Sequence, residues 1–535
     1  MTTQNISTIK KDRRFHLLTF LFFLLIYLLT SSGTFDVPDA IPPFRSAKAI
    51  LESGKLDLEI TEPMDLMMVG GEGSKNFINI YYRSKSGKIY SKYGILATFQ
   101  MLPFVLIGKA LYLLFGRFLD LGLIFFEKFA ASWINCIPMA LACLLLLKLA
   151  RRIGFSYSTS LILSIILGLG TMSWHYAQTT FTEPLLTLEL LAIVYFIFKA
   201  QQTKDEINVI YAALCAGAMI HTKVASCVVL PVTGLYLIYV ALKVRKPKFI
   251  FLFFGITAIF FLLLLVLNEA RFGGALETGY GKEITSLKKQ RPSNAVLFKI
   301  LRFTSSLDKG VFPYNPILIV AIFGFGRFFR RQRALCLAAI AIFLTYLIGV
   351  AWTKAALLES WGPRYLLVTI PFLVLPIGYL IEQKRKLLNI IIAFFFILSI
   401  CLNLTSILVF HSEYQYLKYG FGHSLDMNPL MLPNDIYGTF TLLKNKVLHG
   451  QGIYSSAEFG IIKPGTVPAT MTTYRYPMFK SFNLWHIYIN VRTYDKVPWI
   501  IIIPCLMIIV ISVLGIRIYR IAKRLDAEEL LPVSA

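Results

Sequence analysis

Acidic residues are scarce. Asp and Glu number 29 against 54 Lys and Arg in 535 residues, a formal net charge of +25. Charged residues of both signs make up only 16% of the chain and hydrophobic ones 56%, with a mean hydropathy of +0.65. A soluble core of this size needs far more polar surface than that, so a water-soluble globular class is excluded. Paired cysteine spacing is also missing. Cys136, Cys143, Cys215, Cys227, Cys336, Cys401 and Cys505 all lie inside or at the edge of apolar runs, so neither a disulfide framework nor a zinc site is indicated. There is no internal repeat, low-complexity tract or long flexible linker. The excess of base has no basic domain to house it: Lys and Arg sit in small groups beside the ends of apolar runs, which speaks for membrane topology and against nucleic acid as a partner.

What the chain has is hydrophobic length. A helix rising 1.5 Å per residue needs about 20 apolar residues to cross about 30 Å of hydrocarbon. The runs 15–31, 128–150, 156–173, 184–200, 207–221, 224–242, 249–267, 311–329, 335–352, 364–381, 388–410 and 498–518 are read as spans on this basis. Phe15–Ser31 has the apolar look of a secretory signal, but Thr30-Ser31-Ser32-Gly33 is a poor cleavage site, so it reads as a retained first span. Residues 207–242 as one helix would reach over about 50 Å, so His221-Thr222-Lys223 reads as a break between two spans.

Charge decides the remaining run, 94–115. If it does not cross, Lys10/Lys11/Arg13/Arg14, Arg151/Arg152, Lys199/Lys204, Lys243/Arg245/Lys246/Lys248, Arg327/Arg330/Arg331/Arg333, Lys384/Arg385/Lys386 and Arg517/Arg520/Lys523/Arg524 share one face, the cytoplasmic one. If it crosses, everything after Arg151 flips. The run is therefore expected to lie in the outer interface, with Pro103 near its middle. The expected fold is an all-α polytopic membrane bundle of about 12 transmembrane helices, both termini inside, with interfacial helices in the first outer loop. Residues 1–410 form the expected catalytic domain, including that loop at 32–127. Residues 411–497 form an extracytoplasmic segment without a recognisable pattern, and 498–535 the last span and a cytoplasmic tail.

Charges that are costly in lipid gather at the outer ends of these spans, in short knots with Trp, Tyr, Gly and Pro. In Phe35-Asp36-Val37-Pro38-Asp39-Ala40-Ile41-Pro42-Pro43 the prolines stiffen the chain around two carboxylates; either serves as a proton acceptor or caps the helix that follows. Tyr90-Ser91-Lys92-Tyr93-Gly94 brings an ammonium between tyrosines to the head of the interfacial helix, where it can meet a lipid phosphate. Thr182-Glu183-Pro184 opens a span with an acid, either a cap with a first-turn acid or a site carboxylate. His221 and Lys223 interrupt an apolar region. Asn268-Glu269-Ala270-Arg271 and Trp361-Gly362-Pro363-Arg364-Tyr365 each bring an arginine, whose planar fork suits bidentate phosphate binding, to the same face. A general base, converging cations and a surface-seeking helix together suit group transfer from a lipid phosphate at the interface.

In the order SKYG, TEP, TK, NEARFGGALETGY, KGVFPYNP and WGPRYLLVTIPF after a first-loop acid, the first 380 or so residues resemble the bacterial GT-C-fold glycosyltransferases that use polyprenyl-phosphate sugars. That superfamily includes the protein O-mannosyltransferases and the lipid A aminoarabinose transferase. The resemblance implies an inverting transferase acting at the extracytoplasmic face of a bacterial inner membrane, on a polyprenyl-phosphate sugar donor and a glycan, lipid or protein acceptor. It selects Asp39 over Asp36 as the catalytic base, with Ala40 where relatives place a second acid. It makes Glu183 a second acid near the substrate, and Lys92, Tyr93, His221, Lys223, Arg271 and Arg364 the substrate and phosphate contacts. A divalent ion between Asp39 and Glu183 is left open. The runner-up is a transporter or flippase of a lipid-linked or amphipathic substrate, which paired repeats and ionisable residues at span centres would favour; neither marks this sequence.

Overall fold

The computed structural model describes residues 3–35, 38–60, 69–71, 80–280, 294–352, 360–409, short pieces between 436 and 447, 483–493 and 498–530. Asp36, and nearly all of the expected segment 411–497, lie outside them. Helices dominate: α1 (Thr3–Thr30), α2 (Ile41–Ser53), α3 (Ile95–Leu119), α4 (Leu123–Ala131), α5 (Cys136–Ile153), α6 (Tyr157–Leu169), α7 (Glu183–Thr203), α8 (Glu206–Thr222), α9 (Leu230–Lys243) and α10 (Lys248–Phe272). After these come α11 (Ile317–Arg331), α12 (Arg333–Trp352), α13 (Ile370–Ile381), α14 (Lys386–Leu408) and α15 (Ile502–Leu530).

Nine helices among the described residues are long and apolar enough to cross a membrane, by length and composition. That set takes in α3, expected at the interface, and leaves out α6, α7, α8 and α11, four of the runs expected to cross. The apolar faces turned outward include Phe251, Leu263 and Val266 on α10 and Ile508, Ile509 and Ile516 on α15, all exposed, as helices facing lipid rather than water require.

The bundle has two chemically distinct ends. At one, Lys11 of α1 meets Glu528 of α15 at 2.6 Å, Arg151 of α5 pairs with Glu529, and Arg152 reaches Gln202 at the end of α7 at 3.0 Å. Lys248, opening α10, meets Glu206, opening α8, at 2.7 Å. At the other end, Ser31 just past α1 receives the backbone N–H of Trp485 and the indole N–H of Trp133. The basic clusters thus share one end, as the charge pattern predicts.

Helix α3 joins neither pair of ends. Its start abuts the end of α8: a Cβ on Gly94 would overlap the carbonyl oxygens of His221 and Thr222, so only glycine fits. Its far end carries Phe118, whose ring centre lies 5.9 Å from that of Trp499 just ahead of α15. Both contacts belong to the end remote from the basic clusters. The helix therefore lies across that end, with Leu113, Leu114 and Phe118 turned outward and exposed. Beneath it, Phe44 and Ala47 of α2 pack on Met101, Phe104 and Val105. Helix α2 itself starts on Pro42 and Pro43, where the missing N–H groups cost nothing.

Local breaks depart from the expected spans. The run 128–150 divides into α4 and α5, because Asn135 turns its amide to the carbonyls of Thr179 and Phe181 at 2.7 and 2.6 Å rather than continuing a helix. The break at 221–223 is as expected: Lys223 is extended (φ −158°, ψ 113°) between α8 and a 3-10 turn, Val224–Val229. Strands were not anticipated. β1 (Val69–Gly71), β2 (Tyr81–Arg83) and β3 (Ile89–Ser91) form a small sheet, β1 parallel to β2 and β2 antiparallel to β3 with Tyr82 opposite Tyr90.

Candidate active site

A narrow cleft opens at the end away from the basic clusters. Of the residues singled out from the sequence, Asp39, Tyr93, Glu183, Lys223 and Arg364 line it. They come from five separate segments of the chain.

Arg364 is central. The segment that carries it is fixed by Trp361, fully buried, whose ring meets Tyr314 edge-on at 4.8 Å and whose carbonyl accepts from the Tyr176 hydroxyl at 2.7 Å. Gly362 turns the chain at φ +62°, and a side chain there would strike Tyr314. The guanidinium then emerges 3.8 Å from the ring centre of Phe181, with Nε 3.6 Å from Glu183 Oε1 and Nη1 3.9 Å from Asp39 Oδ2. One arginine thus bridges the two carboxylates.

Glu183 is buried at the first position of α7, followed by Pro184 in the first turn, where an acid is favoured by the helix dipole. Thr182 makes no capping bond with its side chain. Instead the carboxylate accepts from Lys223 Nζ at 2.8 Å. Lys223 also lies 4.5 Å from the ring centre of Tyr365. Burial works against its charge, but Glu183 and then Tyr365 more than offset that, so the ammonium binds its proton more tightly than an ordinary lysine. The extended Lys223 backbone is held from behind, since the Thr222 hydroxyl reaches Glu189 at 2.7 Å.

Asp39 lies in a single 3-10 turn, Pro38–Ala40, ahead of α2. The N-cap of α2 is Ala40 and no side chain caps it, so Asp39 does not serve as a cap. Its ion-pair partner is Arg364, and the Tyr93 phenol lies close enough to feel its charge. Burial first, and Asp39 second, raise the Tyr93 phenol well above its usual pKa, so it stays neutral beside the carboxylate.

The other expected contacts are arranged differently. Lys92 stands one layer back, its Nζ 4.8 Å from the ring centre of Tyr280, itself a lining residue. Arg271 turns its guanidinium to the backbone, donating to the carbonyls of Ser91 and, at 3.0 Å, Tyr93. It holds the turn that carries Lys92 and Tyr93 and does not line the cleft. His221 faces away, its Nε2 3.0 Å from the Phe260 carbonyl of α10. Arg364 stands between Asp39 and Glu183, so those carboxylates do not form a divalent-ion site, and among the described residues no three His, Cys, Asp or Glu side chains gather as one.

Sequence reasoning passed over Phe181, Tyr280, Thr180 and Gln100, which also line the cleft. Aromatic and neutral polar residues carry no contrast in so apolar a chain. Phe181 and Thr180 sit beside the Thr182-Glu183-Pro184 knot and Tyr280 closes the NEARFGGALETGY stretch, whereas Gln100 has no such neighbour.

No protein-family model matches the chain, and no curated protein matches it in sequence. Among solved structures it is similar to "Crystal Structure of ArnT from Cupriavidus metallidurans bound to Undecaprenyl phosphate", at 14% identity and TM-score 0.45, covering 81% of this chain and 70% of that one. The apo state of the same protein gives 15% identity and TM-score 0.44, covering 83% and 69%.

Proposed function

We propose that the chain is a membrane glycosyltransferase that moves a sugar from a polyprenyl monophosphate to an acceptor hydroxyl, with inversion at the anomeric carbon. The single observation that carries this reading is the convergence of Asp39, Arg364, Glu183 and Lys223 from distant segments on one cleft, beside a helix that lies across the end of the bundle. A carboxylate for the acceptor proton and fixed cations for the departing phosphate are what such a transfer needs. The order of motifs that resembles the GT-C glycosyltransferases supports the same reading.

Asp39, facing Arg364, takes the proton from the acceptor O–H. The acceptor oxygen bonds to the anomeric carbon, and the bond from that carbon to the phosphate oxygen breaks on the opposite face. The phosphate leaves with both electrons, still anchored by its prenyl chain. Arg364 and Lys223 lower the energy of that growing charge, and Lys92 stands close behind the tyrosine pair to contribute at the mouth. Arg271 positions Lys92 and Tyr93 rather than touching substrate. That the basic clusters occupy the opposite end supports a cleft on the extracytoplasmic side, and the motif resemblance supports a bacterial inner membrane.

The test is a transfer assay with purified protein in lipid, radiolabelled polyprenyl-phosphate sugars and a panel of glycan, lipid and protein acceptors. Arg364→Ala is expected to lose donor binding, and Asp39→Asn to bind donor but not turn it over. Full transfer by Asp39→Asn would refute the assignment of the base.

A further inference from the structure

The lining of the cleft also bears on which sugar it takes, granted the polyprenyl-phosphate reading above. Among the described residues, two carboxylates line it, Asp39 and Glu183. Neither is without a cation. Glu183, 2% exposed, receives Lys223 at 2.8 Å and faces Arg364 at 3.6 Å, and Asp39 faces Arg364 at 3.9 Å. A ligand ammonium is best held by a carboxylate free to accept it, and here both carboxylates are already engaged by Lys223 and Arg364.

Neutral partners, in contrast, are available. Thr180 lines the cleft with its hydroxyl oxygen buried and without a hydrogen-bond partner. Thr182 is free of a capping bond, and Gln100, which uses its amide N–H on the Ile134 carbonyl, keeps its amide oxygen for a donor. An orphaned buried hydroxyl is costly unless a ligand completes it. Hydroxyl groups of a sugar do so without importing charge.

We infer that this cleft selects an uncharged, hydroxyl-bearing sugar on the lipid phosphate and excludes sugars with a free amine, with Lys223 and Arg364 acting as the excluding charges by saturating Glu183. Lys223 is thus a specificity-determining residue as well as a phosphate-stabilising one.

The experiment is competition binding to the full-length protein in nanodiscs. Bare polyprenyl phosphate, its neutral hexose ester and its amino-hexose ester are each used to displace a fluorescent polyprenyl phosphate. The neutral ester is expected to bind at least about tenfold tighter than the amino ester, a gap of about 1.4 kcal/mol. Lys223→Met, which leaves Glu183 with Arg364 alone, is expected to narrow that gap. Lys223→Gln is the second variant should the first fail to fold, and the wild-type ratio is a test in its own right. Thr180→Val is expected to weaken the neutral ester and leave bare polyprenyl phosphate unaffected, with Thr180→Ser restoring it. If bare polyprenyl phosphate binds and the amino ester equals or beats the neutral one, the sugar inference falls alone. An unchanged gap in both Lys223 variants overturns the role given to that lysine. If none of the three lipids binds, the donor reading falls and takes this inference with it.

Discussion

At the basic end of the bundle Lys248 and Glu206 meet at 2.7 Å with 64% and 38% of their side chains exposed; at the cleft end Lys223 and Glu183 meet at 2.8 Å with 21% and 2% exposed. The chemistry and the distance are the same, and the surroundings are not. The first pair is bathed in water and ions, where an ion pair contributes about 0–1 kcal/mol. The second is walled by Phe181 and Tyr365 and shares its carboxylate with Arg364, so removing one partner strands a charge where it is poorly solvated. Basic residues at one end pair in water, and at the other they face a cleft beside buried carboxylates.

Substitutions at the two ends sharpen that contrast. Asp39→Asn carries the largest expected effect on turnover, a loss of about 10²–10⁴-fold with donor binding and thermal unfolding unchanged, measured by single-turnover transfer. A drop in unfolding temperature that accounts for the lost activity would make Asp39 a structural residue. Arg364→Ala comes next, lowering turnover by about 10²–10³-fold and stability towards the lower end of about 3–5 kcal/mol, since Lys223 remains on Glu183. Donor binding and thermal unfolding report the two losses separately. Tyr93→Phe keeps the ring and removes the neutral phenol beside Asp39, so turnover is expected to fall by about tenfold or less with little change in binding. Lys248→Ala, at the far end, is expected to change stability by less than about 0.5 kcal/mol and activity not at all. Were Lys248→Ala as damaging as Arg364→Ala, the contrast between the ends would be gone.

Asp39, Glu183, Lys223 and Arg364 were legible in the sequence because a charge at the edge of an apolar run is expensive, and chains keep such charges where something answers them. The same logic placed α3 across the end of the bundle, since only that arrangement lets the basic clusters share one face. Direction of the side chain was not legible. Arg271 and His221 sit in equally suggestive knots, yet one spends its guanidinium on the carbonyls of Ser91 and Tyr93 and the other turns to Phe260. Nothing in spacing distinguishes a cation that faces a cleft from one that ties down a turn. The small sheet had its own local signal, since Ser84, Ser86 and Gly87 form the turn between Tyr82 and Tyr90, but the membrane periodicity around it commanded attention first.

At Gly94 the chain passes so close to the unwound end of α8 that no carbon beyond Cα fits between them. The loop bearing Tyr93 and the bend bearing Lys223 therefore behave as a single joint, although they are far apart along the chain. A substitution that shifts either one is expected to drag the other, so Tyr93 and Lys223 keep their places in the cleft together.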